Sequence, residues 1–193
     1  MAQTAPVVAK GRVEIATDPE KVWEVLAAVD RWPTWNPDVK SVVLTGPVAE
    51  GTQFRWKAGP GTINSTFLRV ERPRLLSWKG RTLGIHALHS YELEGLDGVT
   101  VVRTEESWDG LLARVLRGRM QKMLESSIYP GLRRLKVEAE RRSRGEAVPA
   151  RNPRETHEGR GMTAHARTGW DLARPNRSAR TDRGDVGDLG RHS

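Results

Sequence analysis

From Val39 to Trp108 the chain holds six short runs of alternating character separated only by turn residues, and at Asp109-Gly110 the spacing changes to a helical one. The runs are Val39 to Thr45, Thr52 to Ala58, Thr62 to Glu71, Arg74 to Gly80, Leu83 to Glu94 and Val99 to Trp108. No segment between them is long enough for a crossover helix, so the strands are expected to pair antiparallel. Gly46 to Gly51, Gly59-Pro60-Gly61, Arg72-Pro73 and Leu96-Asp97-Gly98 supply the turns. Within Thr52 to Ala58, Phe54 and Trp56 fall on one face, and Gln53, Arg55 and Lys57 on the other. After Gly110, Leu112, Val115, Leu116, Met120, Met123, Leu124, Ile128, Leu132 and Leu135 recur at helical spacing over about 30 residues. Pro130 lies inside this helix and is expected to kink it near Ser126 or Ser127.

Upstream, Lys10 to Thr17 alternates, with Val13 and Ile15 apolar and Arg12 and Glu14 polar. Asp18 is placed to cap a helix whose first position is Pro19, where a missing N–H costs nothing. Val22, Trp23, Val25 and Leu26 carry that helix to about Val29. A second helical turn covers Arg31 to Trp35, and Asn36-Pro37 ends it, because a residue before proline is pushed out of the helical region. The order predicts an α+β domain: a curved antiparallel sheet of about seven strands wrapped around a long C-terminal helix, with two short helices after the first strand.

Composition divides the chain. Only 37% of the residues are hydrophobic, below the usual share for a globular chain. The periodicity stops near Gly145, so a domain is expected over residues 1–144 and a disordered Arg/Gly-rich tail over 145–193. The net charge is +8, and the stretch from Leu111 to Arg144 holds 10 basic residues against 3 acidic ones. That bias suits a solvated helix face, or a surface for an anionic partner. With no cysteine, disulfides, thiol nucleophiles and cysteine metal sites are excluded. There is no signal-peptide pattern and no apolar run long enough to span a bilayer, so a cytoplasmic protein without a transmembrane segment is expected. His86 and His89 are separated by an odd number of strand residues and point to opposite faces, so no shared metal is expected. Gly59-Pro60-Gly61 lacks the Lys-Ser/Thr of a phosphate loop. No cofactor and no specific nucleic acid are expected.

The sequence resembles the START-like, or helix-grip, superfamily over about Gly11 to Glu140. The residues that carry the likeness are Ile15-Ala16-Thr17-Asp18-Pro19-Glu20-Lys21-Val22-Trp23, Trp32-Pro33-Thr34-Trp35-Asn36-Pro37, Gly51-Thr52-Gln53-Phe54, Pro73-Arg74-Leu75-Leu76-Ser77-Trp78, His89-Ser90-Tyr91-Glu92-Leu93, Gly98-Val99-Thr100-Val101 and Glu106-Ser107-Trp108-Asp109-Gly110-Leu111-Leu112. Their order and spacing together are similar to the polyketide cyclase/dehydrase-type branch. The resemblance implies a gap between the bent sheet and the long helix that holds a hydrophobic small molecule, lipid or polyketide-like.

The residues expected to line it are Trp35, Phe54, Trp56, Trp78, His89, Tyr91, Thr104 and Glu106, facing Met120, Met123, Leu124 and Ile128 of the helix. Pairing the strands about the Leu96–Gly98 hairpin sets Tyr91 beside Val102, His89 beside Thr104 and Ala87 beside Glu106, with Ile85 and Leu83 further along the same face. The polar minority of His89, Tyr91, Thr104 and Glu106, joined by Ser127, is where chemistry would lie. His89 and Glu106 form a candidate acid–base pair for cyclisation or dehydration, since a carboxyl in apolar surroundings tends to hold its proton. Against this, Glu106 serves equally as a structural acceptor for an Arg or Trp N–H. The three functions in view are a carrier of a hydrophobic ligand, a polyketide cyclase/aromatase-type enzyme, and an interaction module. The last would use Arg114, Arg117, Lys122, Arg133, Arg134 and Lys136 against an acidic carrier protein or an anionic surface.

Overall fold

The computed structural model describes residues 5–59 and 61–146; most of the tail read above as disordered lies outside them. The chain runs β1 (Val7–Ile15), α1 (Pro19–Ala27), a 3-10 turn (Val29–Arg31), α2 (Trp32–Trp35), β2 (Val39–Leu44), β3 (Gln53–Ala58), β4 (Gly61–Glu71), β5 (Leu75–Thr82), β6 (Ile85–Leu96), β7 (Val99–Asp109), α3 (Leu111–Val115) and α4 (Arg117–Ser143). The strands form a seven-stranded sheet in the order β1-β7-β6-β5-β4-β3-β2. Every neighbouring pair is antiparallel. Short turns join β2 through β7 in sequence order, and β1 closes onto β7 as the far edge. The register slips between Val39 and Ser41 and between Phe67 and Arg69, the kind of irregularity that bends a strand and deepens a sheet's curvature.

Asp18 caps α1 as its sequence context predicts, accepting a hydrogen bond from Lys21 N at 2.9 Å. Two sequence expectations are corrected. β1 starts at Val7, three residues before Lys10, because Val7 and Ala9 continue the buried face and pair with Trp108 and Glu106. The final helix is two helices: at Leu116 the backbone leaves the helical region (φ −106°, ψ 30°), so α3 and α4 are separate. As expected, α4 continues with Pro130 inside it. There Ser126 and Ser127 donate their hydroxyls to the carbonyls of Met123 and Leu124.

The position of α4 follows from its contacts with β1. The Gln121 side chain meets the Val8 backbone twice, accepting from its N–H at 3.1 Å and donating to its carbonyl at 2.7 Å. Further along, Lys136 Nζ donates to Glu14 O, and Glu140 accepts from Ala16 N. From Val8 to Ala16 the strand advances about 27 Å, and from Gln121 to Glu140 the helix advances about 28 Å. The two elements therefore run side by side in step, and helix side chains satisfy backbone groups on the sheet's open edge. Midway, Gly11 lets the helix sit down: a Cβ there would lie 2.5 Å from Ile128 Cγ2 and 2.7 Å from Leu132 Cδ1. At the helix end, buried Glu138 accepts from both Arg141 and Arg142. Among the described residues, no helix is long and apolar enough to cross a membrane.

Candidate functional site

The inward face of the sheet is aromatic. Phe54 stacks on Phe67 with ring centres 4.6 Å apart, and Trp32 of α2 meets Phe54, Trp56 and Trp78 at 6.1, 5.7 and 5.5 Å. Trp78 then touches His89 at 4.7 Å and Tyr91 at 5.8 Å, and His89 stacks on Tyr91 at 4.7 Å. Phe54, Phe67, Trp32 and Trp78 are buried, whereas Trp35, Trp56, Tyr91, Trp108 and Met123 are only partly covered and border them. Met120, Leu124 and Ile128 of α4 are buried in the same core. The rings of Phe54, Trp56, Trp78, His89 and Tyr91 adjoin as residues of one sheet face. Leu83, expected on the same face, is the exception: it lies in the β5–β6 turn at positive φ and faces solvent, because strand β6 starts two residues later.

Two residues separate the expected and observed β6–β7 register. The observed pairs are Tyr91 with Thr104, His89 with Glu106, Ala87 with Trp108, and Leu93 with Val102. Leu96 pairs with Val99 across Asp97 and Gly98, both at positive φ (48° and 83°), as a tight two-residue hairpin requires. β6 thus continues two residues further into the turn, from the expected Glu94 to Leu96, while β7 starts at Val99 as expected. A two-residue slip preserves each side chain's face, so the same polar residues still meet, with closer partners.

Those partners form one chain of contacts. Trp108 Nε1 donates to Glu106 Oε1 at 2.7 Å, Glu106 Oε2 lies 3.3 Å from His89 Nδ1, and His89 Nε2 lies 2.9 Å from Thr104 Oγ1. Thr104 Oγ1 is also 2.8 Å from the Ser90 carbonyl. Two proton arrangements satisfy these distances. If Thr104 donates to Ser90 O, His89 Nε2–H donates to Thr104; if Thr104 donates to Nε2, the imidazole proton is on Nδ1. Only in the second arrangement does an Nδ1–H face Glu106 Oε2. Ser127 takes no part in this chain, since it lies on α4 with its hydroxyl bonded to Leu124 O.

Burial lowers the pKa of His89, with the Glu106 charge opposing. Burial, reinforced by Glu106 and opposed by the Thr104 hydroxyl, raises that of Tyr91. His89 is therefore neutral near pH 7. Because its folded pKa lies below the unfolded value of about 6.5, its contribution to stability is complete above that pH. That contribution is lost as pH falls toward the folded pKa, since the unfolded chain takes the proton first. Melting temperature is expected to fall from about pH 7 to about pH 5 more steeply in the wild type than in His89→Gln. Parallel curves for the two proteins would remove His89 as the cause.

One indole is exceptional. Trp32 Nε1 donates to Leu26 O and Trp56 Nε1 to Ser65 Oγ, but the buried Nε1 of Trp35 has no hydrogen-bond partner among the described residues. No feature of the sequence separates Trp35 from the other tryptophans in this respect. Outside the aromatic face, an open groove of about 460 Å³ is lined by Lys10, Gly11, Arg12, Ser90, Glu92, Arg103, Thr104, Glu105 and Tyr129. Most of these are outward-pointing residues of alternating charge, and Lys10 and Glu105 form an ion pair at 2.7 Å. The groove shares Thr104 with the polar chain and otherwise runs over these outward-pointing residues.

Comparison with known proteins places this geometry. Residues 6–140 match the family described as polyketide cyclase / dehydrase and lipid transport. Among solved structures, a hypothetical protein from Helicobacter pylori is 17% identical, with a TM-score of 0.63 over 70% of this chain and 89% of that one. A START superfamily protein from Mycobacterium smegmatis is 13% identical, with a TM-score of 0.62 over 69% and 97%. An aromatase/cyclase from Streptomyces sp. R1128 is 18% identical, with a TM-score of 0.61 over 72% and 98%. These likenesses establish the helix-grip fold. No curated protein matches the chain.

Proposed function

Because the chain belongs to the polyketide cyclase / dehydrase and lipid transport family, we propose that it binds a hydrophobic small molecule against the aromatic inner face of its sheet. The observation that carries this reading is the border of half-covered rings, Trp35, Trp56 and Tyr91, around a buried aromatic core that contains one polar chain. Ligand sites are commonly apolar, with a few fixed polar groups to orient the guest. The unpartnered Trp35 Nε1–H supports the same reading, since a buried donor without an acceptor is costly and a ligand carbonyl or hydroxyl would relieve it.

Native mass spectrometry of protein purified without detergent tests this, followed by titration with a hydrophobic fluorescent probe. A retained apolar molecule, or saturable probe binding, is the expected result. An empty protein that also fails to bind the probe sinks the proposal. Trp35→Phe keeps the ring area and removes the orphan donor. It is expected to leave melting unchanged or slightly raised while weakening the retained ligand by about fivefold to tenfold. Equal affinity would show that the indole N–H does not contact the guest.

The contact between His89 and Glu106 supports a second reading, an enzyme of the cyclase or dehydratase type. An imidazole nitrogen 3.3 Å from a carboxyl oxygen, beside the aromatic face, suits proton transfer to a bound polyketide-like substrate. Carrier is ranked ahead of enzyme because Trp108 already engages Glu106 as a structural acceptor. Glu106→Gln keeps an oxygen for that indole and is expected to leave probe affinity within about threefold. Turnover of a polyketide-type substrate that disappears in Glu106→Gln, with binding intact, would reverse the ranking.

A further inference from the structure

The basic surface expected along the C-terminal helix divides in two. Its later half is tied to the domain: Arg134 engages Asn36 and Asp38, and Lys136 engages Glu14 O and Glu140. Its earlier half lies beside an apolar patch. Leu111 and Val115 of α3 are 78% and 71% exposed, and Leu116 at the junction is 36% exposed, whereas Leu112 and Ala113 turn into the protein. The β5–β6 turn touches the same place, since a Cβ on Gly110 would lie 2.2 Å from Gly84 O, and the adjacent Leu83 is 64% exposed. Single exposed aliphatics are ordinary, but here Leu83, Leu111, Val115 and Leu116 gather on two touching turns. Arg114, Arg117, Arg119 and Lys122 flank them, with no acidic residue between Asp109 and Glu125. Asp109 pairs with Arg114, while Arg117 and Lys122 meet no carboxylate among the described residues.

We propose that the β5–β6 turn and the α3–α4 junction form a docking surface for an anionic lipid bilayer, with Leu83, Leu111 and Val115 entering the interface and Arg117, Arg119 and Lys122 meeting the headgroups. The combination of protruding aliphatics and flanking cations is what an interfacial segment needs, since neither alone holds a protein firmly to a membrane. Charge complementarity selects the bilayer's anionic face. Aliphatic side chains that protrude at 64–78% exposure favour a deformable lipid surface over a folded partner. The inference goes beyond ligand binding and stands without it, because docking needs no guest on the aromatic face.

The test is co-sedimentation of the full chain with vesicles of phosphatidylcholine alone and of phosphatidylcholine mixed with phosphatidylserine, at low and high salt. The protein is expected to pellet with the mixed vesicles and to be released by salt, as charges screened within a Debye length would be. Leu111→Ser/Val115→Ser changes only exposed side chains and is expected to cut the partition constant by about tenfold or more. Arg117→Glu/Lys122→Glu is expected to do the same, while both variants keep the wild-type melting temperature and probe binding. Wild type remaining in the supernatant overturns the proposal. So does pelleting that the Leu111/Val115 variant leaves unchanged, which would mark simple charge adsorption equally available to an acidic protein. Concentration-dependent self-association that the same variant abolishes, with no vesicle binding, would assign the patch to a second copy of the chain.

Discussion

Replacing Trp78 with alanine is expected to reduce unfolding free energy by about 3–5 kcal/mol, measured by chemical denaturation. Trp78 is 4% exposed and stands where the two halves of the aromatic array meet: Trp32 and Phe54 lie on one side at 5.5 and 6.1 Å, and His89 and Tyr91 on the other. Removing the ring therefore deletes transfer energy and opens a void bounded by rings anchored on two strands and α2. Those rings are held by their strands and cannot all move inward together. The loss is comparable to the whole stability of a marginal domain, about 5–15 kcal/mol. Trp78→Phe should recover roughly half of it. A loss below about 1 kcal/mol for Trp78→Ala would mean that the neighbours collapse into the space, and that the array is not a rigid packed unit.

The second large effect lies where α4 meets β1. Gly11→Ala is expected to cost about 1–3 kcal/mol, although it adds one methyl group. The new Cβ would fall 2.5 Å from Ile128 Cγ2, an atom attached directly to a β-branched carbon whose rotation a helix restricts. Relief therefore requires the helix itself to shift, which strains the Gln121–Val8 and Glu140–Ala16 bonds at either end. Ile128→Ala alone should also destabilise, by emptying a buried site. The double variant should be more stable than the sum of the two losses predicts, by about 1 kcal/mol or more. Strict additivity would show that the close approach at Gly11 does not hold the helix in place.

The same two sites mark the limit of sequence reading. Trp78 was legible only through the resemblance that carries Pro73 to Trp78, since Leu76, Ser77 and Trp78 are buried in succession and β5 shows no simple alternation. Gly11 was not, because a glycine adds nothing to a hydrophobic pattern and its value here is the absence of a side chain opposite Ile128 and Leu132. The break at Leu116 was also hidden, since Leu111 and Val115 keep helical spacing with Leu112 and Leu116 while facing solvent. Spacing records periodicity and cannot say which residues of an apolar run are covered.

The polar chain shows the same division. The sequence placed His89, Tyr91, Thr104 and Glu106 on one face, because side chains on a strand alternate and that parity survives a two-residue slip. Which of them touch depended on the tight Asp97-Gly98 turn, which carries β6 to Leu96 and brings His89 opposite Glu106. By itself the sequence determined the succession of strands and helices up to β7 and the Asp18 cap of α1, all properties of neighbours within a few residues. Only the tertiary structure decided the path of α4 along the β1 edge, the contact of Glu106 with both Trp108 and His89, and the lone indole N–H of Trp35. Each of these joins residues whose approach depends on how strands and helices close around one another.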